Sequence, residues 1–300
     1  MRLNQIRDFI AVTQAGSLRA AALAVGVSQP AITKSIRQLE VELGVQLLQR
    51  NARGAAATPA GKAFLARARV VQAELRKAAD DLQAFQGGRE GSVAFGLAPA
   101  ACMLIVPDAM VQFRRQHPHA RVRIVEGTNT ALLPLVRDET LDFSIGQSLI
   151  AKPDDAIKFR PLMRTPLVVA GRQGHPLRAA KSLRELADAP WLMFYPVGTG
   201  AILEKAFTAA GVPMPRAIVQ CESYAAALAL LARTDTLGLL VPQMLEEPHG
   251  QRHLRQIKIE EVLPGPVLGM YSRADAPLTP AASAMAQAVT ATARRLARER

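Results

Sequence analysis

The sequence predicts an N-terminal all-α winged helix-turn-helix, then a long linker helix, then a C-terminal α/β half. Three observations support this fold class. Residues 16–53 contain two capped helices around a glycine turn, residues 61–86 keep a helical apolar period, and from residue 91 strands alternate with helices. A length of 300 residues agrees with two or three domains.

Caps and spacing define the first helix pair. Ser17 can cap a short helix over 18–25, and Gly26 supplies the turn, where a positive φ costs little. Ser28 can cap the next helix, and Pro30 lies in its first turn, where a missing N–H does no harm. One buried face then recurs at spacings of four, three and four: Ile32, Ile36, Leu39 and Leu43. A capped helix, a glycine turn and a second helix with a polar face are typical of a helix-turn-helix.

The second helix and the segment after it are predicted to touch DNA. Residues 46–50 read as a strand, 51–54 as a turn and 55–58 as a returning strand, which makes a wing. Residues 1–70 hold ten Lys or Arg against three Asp or Glu, in a chain of net charge +12, a weighting typical of phosphate binding. The predicted DNA-binding residues are Ser28, Gln29, Pro30, Thr33, Lys34, Arg37, Arg50 and Arg53. The alternatives are an ordinary amphipathic helix pair and, for Pro30, only a role in starting the helix.

A long apolar stripe follows the wing. Its members repeat every three or four residues: Phe64, Leu65, Ala68, Val71, Leu75, Ala78, Leu82 and Phe85. Nothing nearby in sequence can cover this face, so a partner helix is favoured, and two copies would present two recognition helices to two half-sites. The alternative is that the helix packs on its own C-terminal half. The glycine-rich residues 87–91 end the helix and mark a domain boundary.

The C-terminal half alternates strands and helices, which predicts parallel, doubly wound sheets covered on both faces. The predicted strands are 92–98, 121–126, 142–145, 167–170, 191–194, 217–221, 237–241 and 267–271. The predicted helices are 101–116, 128–137, 200–210, 223–233 and 280–298.

Residues 1–90 resemble the N-terminal domain of LysR-type transcriptional regulators. The matching residues stand at the family's fixed spacing: Ser17, Ala21, Ala22, Ser28, Gln29, Pro30, Ala31, Leu39, Glu40, Leu43, Gly44 and Arg50. Leu18 and Leu48 replace the family's usual phenylalanines, which changes packing and not chemistry. Segments 17–22, 141–143, 221–223 and 278–282 further resemble the aromatic-sulfonate-responsive branch of the family.

This resemblance implies a C-terminal domain like a small periplasmic binding protein, with two α/β lobes and a ligand between them. The predicted domains are 1–60 (winged helix-turn-helix), 61–88 (dimerisation linker) and 91–300 (effector binding). Lobe I would comprise about 91–161 and 267–300, and lobe II about 165–264. The family usually assembles four chains, so a homotetramer on promoter DNA is expected, with RNA polymerase as a candidate partner.

Four turns could hold a ligand, because open α/β sheets bind ligands at the carboxyl ends of strands, against helix N-termini that favour anions. The predicted effector is a small organic anion such as a carboxylate or sulfonate. The turn at 99–101 lacks a hydroxyl, which leaves room for a bulkier, apolar or aromatic ligand, whereas Glu222 would repel an anion unless it is paired or faces away. Alternatively, the polar members only cap helices. The predicted effector-binding residues are Ala98, Pro99, Ala100, Ala101, Cys102, Thr128, Asn129, Pro196, Gly198, Thr199, Gly200, Glu222 and Ser223.

No catalytic, metal or cofactor motif is expected. Gly-Thr-Gly at 198–200 is too short for a dinucleotide fingerprint, and neither a Walker loop nor a G-x-S-x-G elbow occurs. Cys102 and Cys221 match no metal spacing, and the five histidines are predicted to be solvated in loops. With no signal peptide and no run of about 18 apolar residues, a cytoplasmic protein without membrane contact is predicted. Two function classes remain: a ligand-responsive regulator, or a DNA-binding protein whose C-terminal half is an enzyme or a ligand-free assembly module.

Overall fold

The computed structural model describes residues 1–51, 54–85, 91–148, 155–194, 202–246, 248–263 and 265–298. Contacts divide the chain into two compact units. The first comprises Met1–Gln86 together with Asp138–Thr140, and the second comprises Gly87–Arg137 and Leu141–Arg300.

The first unit is a winged helix-turn-helix followed by a long helix. Its elements are α1 (Leu3–Ala15), α2 (Leu18–Val25), α3 (Gln29–Leu43), β1 (Leu48–Asn51), β2 (Gly54–Ala57) and α4 (Pro59–Phe85). The predicted caps are confirmed, since the Ser17 hydroxyl accepts the Ala20 N–H at 3.1 Å and the Ser28 hydroxyl accepts the Ala31 N–H at 3.3 Å. Gly26 ends α2 at a φ of 75°.

The buried face of α3 is confirmed except at its end. Ile32, Ile36 and Leu39 are fully buried against α1 and α2. Leu43, predicted to continue this face, is 39% exposed because it is the last residue of α3, just before the chain reverses at Gly44.

The apolar stripe of α4 is divided between two environments. Its first part belongs to the core of the first unit: Phe64 packs edge-on against Phe9 with ring centroids 5.3 Å apart, and Ala68 is buried in the same region. Farther along, the exposed fraction is 40% at Val71, 48% at Leu75 and 64% at Leu82. The expectation of one continuous free stripe was therefore wrong for its first part, because α1 covers it.

Two ion pairs join α4 to the segment Asp138–Thr140 within the first unit. Arg69 Nη1 lies 2.6 Å from Asp138 Oδ2, and Lys77 Nζ contacts a carboxylate oxygen of Glu139. Both acidic side chains are nearly buried. Glu139 has a φ of 60° and is the non-glycine residue of the described chain with a positive φ.

The second unit contains two five-stranded sheets. Strand order is β4-β3-β5-β12-β6 in one sheet and β11-β7-β10-β8-β9 in the other. The elements are β3 (Ser92–Leu97), α5 (Pro99–Leu104), α6 (Val106–Gln116), β4 (Arg121–Glu126), α7 (Asn129–Arg137), β5 (Phe143–Gln147), β6 (Ile157–Arg164), β7 (Val168–Arg172), β8 (Trp191–Met193), α8 (Ile202–Ala209), β9 (Ile218–Gln220), α9 (Tyr224–Arg233), β10 (Leu237–Leu240), α10 (Gln243–Glu246), α11 (Pro248–His253), β11 (Leu254–Ile257), β12 (Val267–Arg273) and α12 (Pro280–Arg298). The chain passes from one sheet to the other after β6 and returns after β11, so the domain has two α/β lobes.

The prediction of parallel sheets was right for only part of each sheet, because both sheets are mixed. β3 runs parallel to β4 and β5, and β8 runs parallel to β9 and β10. β12 runs antiparallel to β5 and β6, and β7 runs antiparallel to β10 and β11. The sequence prediction missed β6 and β11, which supply two of these pairings. β6 contains Arg160 and Pro161, and proline is tolerated there because β6 is an edge strand. The predicted helix 101–116 is two helices that meet at Ile105, with Pro107 in the first turn of the second.

One apolar cluster includes buried residues of both lobes, among them Phe95 and Phe143 of lobe I and Leu192 and Leu240 of lobe II. The Phe95 and Phe143 rings stack with centroids 5.2 Å apart. The lobes therefore share a core.

Three histidines depart from the predicted solvated loops. His175 is buried, accepts the Leu177 N–H through Nδ1 at 3.0 Å, and through Nε2 donates to the Asp235 carbonyl at 3.0 Å. His249 and His253 lie in the short helix α11 and not in a loop.

Candidate nucleic-acid interface and ligand cleft

The polar face of α3 points away from the core of the first unit. Gln29, Pro30, Lys34 and Arg37 are exposed, and Thr33 is half-buried. Ser28 is exposed as well, but its hydroxyl caps the helix. The predicted base-reading side chains thus share one solvent-facing surface, and the buried face of α3 fixes its orientation.

An open groove of about 880 Å³ runs between α3 and β1. It is lined by Thr33, Arg37, Glu40, Val41, Gly44, Val45, Gln46, Leu48 and Gln49. A second groove on the other side of α3 also includes Arg37 and Val41, so these two side chains form the ridge between the grooves. Val41 is 74% exposed.

The wing is a two-stranded antiparallel hairpin with Leu48 opposite Ala57. The Ala55 N–H donates to the Gly16 carbonyl at 2.8 Å, and a Cβ on Gly54 would lie 2.3 Å from that same oxygen. Close approach of the two backbones therefore requires glycine at 54. Arg50 lies on β1, while Arg53, the other predicted wing cation, lies outside the described residues.

The first candidate ligand turn lies between β3 and α5. Ala98, Ala100 and Ala101 are buried, whereas Pro99 and Cys102 are half-buried. The Ala98 carbonyl accepts the N–H groups of Ala101 at 2.9 Å and Cys102 at 3.2 Å. Pro99 has no N–H group, so the Ala100 N–H is the remaining backbone donor of this turn.

Cys102 is placed to pack and not to react. Burial raises the pKa of its thiol, and the carboxylate of Glu126 raises this pKa further. The thiol is therefore protonated at neutral pH, and the thiolate is the nucleophilic form.

The second turn buries its two polar side chains. Thr128 is 5% exposed and Asn129 is 3% exposed. Asn129 donates through Nδ2 to the Gln147 carbonyl at 2.7 Å, while its buried Oδ1 has no hydrogen-bond partner. This contact ties the start of α7 to the end of β5. Asn129 begins α7, one residue later than the predicted start, Thr128 precedes it, and both side chains are buried.

The lobe II turns are only partly described. Ser223 caps α9, its hydroxyl accepting the Ala226 N–H at 3.4 Å, and the Cys221 thiol donates to the Ser223 carbonyl at 3.3 Å. Glu222 is exposed, so water screens its charge. Pro196, Gly198, Thr199 and Gly200 lie outside the described residues.

Half-buried apolar side chains adjoin these turns, and sequence reasoning did not select them. Met103, Phe194, Tyr224 and Leu228 pack against the same cluster as Cys102 and Cys221. Phe194 directly follows β8 and Tyr224 begins α9, so the ends of these two elements were the signal that could have found both residues.

Metal sites and membrane-spanning helices are absent from the described ranges. No group of three or more His, Cys, Asp or Glu side chains there could hold a metal ion. In that part of the chain no helix is both long and apolar enough to span a membrane.

Two family models match the chain. The model described as bacterial regulatory helix-turn-helix protein, lysR family, matches residues 3–62, and the model described as LysR substrate binding domain matches residues 86–294. The SDS degradation transcriptional activation protein of Pseudomonas sp. is 30% identical, over 94% of this chain and 94% of that protein.

Solved structures share the fold. The crystal structure of CbnR, a LysR family transcriptional regulator, aligns with a TM-score of 0.72 at 22% identity, covering 98% of this chain and 99% of that one. Full-length CbnR in complex with its target DNA aligns with a TM-score of 0.69 at 22% identity, covering 97% and 100%.

Proposed function

The chain belongs to the LysR family of transcriptional regulators, and from this premise we propose how it reads DNA and what kind of molecule it senses. It is a ligand-responsive DNA-binding regulator and not an enzyme. The proposal has three parts: α3 and the wing bind promoter DNA, two copies pair along α4, and a small organic anion binds between the lobes.

The observation that carries the DNA-binding part is the exposed polar face of α3 beside the wing groove. Gln29, Thr33 and Lys34 stand near the helix N-terminus, the end that enters the major groove in helix-turn-helix proteins. Arg37 borders both grooves, and Arg50 on β1 would contact phosphate. CbnR, which shares this fold, was solved in complex with its target DNA.

The exposed residues of α4 support pairing of two copies. Val71, Leu75 and Leu82 lie on one helix at spacings of four and seven residues, and they stay accessible in the single chain. A second α4 would cover them and would place two α3 helices on one DNA site. Two such dimers would form the expected tetramer.

The effector part rests on the chemistry of the turns. Cys102, Met103, Phe194, Cys221 and Tyr224 offer a half-buried apolar surface, and the α9 N-terminus adjoins it along the chain. An anion with an apolar body, such as an aromatic carboxylate or sulfonate, suits both features. The relative named for SDS degradation is linked by that name to an anion with an apolar tail.

A titration tests the effector part. The full-length protein first selects its site from a random DNA pool, and footprints and melting temperature are then recorded with aromatic carboxylates, aromatic sulfonates and alkyl sulfates. At least one compound should change the footprint and raise the melting temperature. Cys102→Trp, which fills the cleft wall, should remove this response and keep ligand-free DNA binding. The matched control Val111→Trp, at a site 56% exposed, should keep the response. If no compound changes either readout, the C-terminal half is a ligand-free assembly module.

A further inference from the structure

The carboxylate of Glu40 joins the recognition helix to the base of the wing. Its Oε1 accepts the N–H of Leu47 at 2.9 Å and the N–H of Leu48 at 3.0 Å. Leu48 is the first residue of β1, so the side chain of one DNA-binding element holds the backbone of the other.

The rest of this connection is short and well anchored. The Val45 N–H donates to the Glu40 carbonyl at 3.2 Å, so backbone and side chain of the same residue hold the turn after α3. At the base of the hairpin, the Leu47 carbonyl accepts the N–H of Thr58, the residue after β2, at 2.9 Å. Leu47 and Leu48 are buried in the core of the first unit. Glu40 therefore acts where the wing leaves the core.

The negative charge of Glu40 disfavours a direct contact with DNA, so its position in the groove needs another explanation. It lines the groove that also contains Thr33 and Arg37, where a negative charge opposes phosphate. A carboxylate only accepts hydrogen bonds, and bonds from N–H groups to it are stronger than bonds to neutral acceptors. Two consecutive N–H groups without an acceptor would leave the base of the wing weakly held.

We propose that Glu40 is a positioning residue for DNA binding. It holds the wing at a fixed angle to the reading face of α3, so that phosphate contacts from the wing and base contacts from α3 fall on the same half-site. Glu40 does not itself touch DNA. The inference rests on the proposed function, in which Arg50 of the wing contacts phosphate.

The test is the salt dependence of DNA affinity, because its slope counts phosphate contacts, together with hydroxyl-radical footprints. Arg50→Ala should reduce the slope of log K against log salt by about one and remove protection at the flank of the site. Glu40→Ala should do the same although it removes no cation. Glu40→Gln should restore the wild-type slope, because one amide oxygen can accept both N–H groups.

Glu42→Ala is the matched control. It removes the same charge from the same helix, but Glu42 is exposed and pairs with the Met1 ammonium group, which lowers the pKa of Glu42. Its slope and flanking footprint should match wild type. A loss of folded protein lowers the apparent affinity equally at every salt concentration, so destabilisation alone leaves the slope unchanged.

The double variant Glu40→Ala/Arg50→Ala should have the slope of Arg50→Ala alone, because both changes act through the wing. Additive slope losses, or a wild-type slope and full footprint in Glu40→Ala, would overturn the positioning role. An unchanged slope in Arg50→Ala contradicts instead the wing contact in the proposed function, and the two failures are thereby distinguished.

Discussion

Truncating the exposed leucines of α4 should separate the dimer without unfolding the chain. Leu75 is 48% exposed and Leu82 is 64% exposed. Fully burying a leucine contributes about 1.5–3 kcal/mol, so half to two-thirds of that, about 1 to 1.5 kcal/mol per side chain, is still to be gained at an interface. Over four side chains in a dimer, after about half is lost to side-chain ordering, about 2–3 kcal/mol remains. The variant Leu75→Ala/Leu82→Ala should therefore raise the dimer dissociation constant by about thirtyfold to a hundredfold.

Sedimentation equilibrium over a dilution series measures this constant, and a DNA fragment with two half-sites reports the loss of paired binding. Leu23→Ala is the control, because Leu23 is 85% exposed on α2 and lies outside the stripe. The reasoning fails if the double variant dimerises like wild type. It also fails if the melting temperature falls as for a core truncation, because the stripe would then be covered within one chain.

Three further outcomes are expected. If Lys34 reaches a base edge, Lys34→Ala should weaken the free energy of binding to the preferred site by about 1–3 kcal/mol. Competition binding should show a smaller loss on random DNA. Lys77→Ala removes one ion-pair partner from the nearly buried carboxylate of Glu139 and should lower the unfolding free energy by about 1–3 kcal/mol in urea titration, whereas Glu74→Ala at the exposed partner should change it by less than about 0.5 kcal/mol. Because burial raises the pKa of Cys102, its alkylation, followed by mass spectrometry in a Cys221→Ser background, should accelerate only at a pH above that at which free cysteine reacts.

The raised pKa of Lys77 fixes the sign of a pH effect. Burial opposes its charge, but hydrogen bonds to Glu139 and Glu74 outweigh burial, so the folded pKa lies above the usual value. The stabilisation from Lys77 is therefore fully present below the ordinary lysine pKa and is lost as pH rises through the raised one. Unfolding curves of wild type and Lys77→Ala should accordingly converge only in strongly alkaline solution.

The helix-turn-helix could be predicted from sequence because its signals are local. Ser17 and Ser28 each bond an N–H three residues ahead, and the buried spacing of α3 needs only helical geometry. The features that were missed depend on contacts between distant residues. The first part of the α4 stripe is covered by α1, and β6 joins its sheet through β12, more than a hundred residues later. No window of sequence around either segment contains those partners.

The direction of the side chains at the candidate ligand turns could not be predicted from the sequence either. The alternation of strands and helices placed Asn129 at the start of a helix, as found. Whether its amide faces the cleft or the lobe depends on Gly146 of β5, where an added Cβ would lie 2.2 Å from Asn129 Oδ1. The glycine leaves space for the amide, and the Gln147 carbonyl binds it.

These contacts limit the chemistry that the proposed effector can have. Among the described residues of the first turn of lobe I, only Ala100 retains a free N–H. Pro99 has no N–H, and the N–H groups of Ala101 and Cys102 donate to the Ala98 carbonyl. Thr128 and Asn129 are buried, so lobe I presents little that could compensate a charge. An anionic group would then depend mainly on lobe II, where Ser223 caps α9, while the apolar body would contact Cys102 and its neighbours. A neutral apolar analogue should therefore bind more weakly than the anion but at the same place. Ser223→Ala should lower the affinity for the anion and leave the affinity for the neutral analogue unchanged.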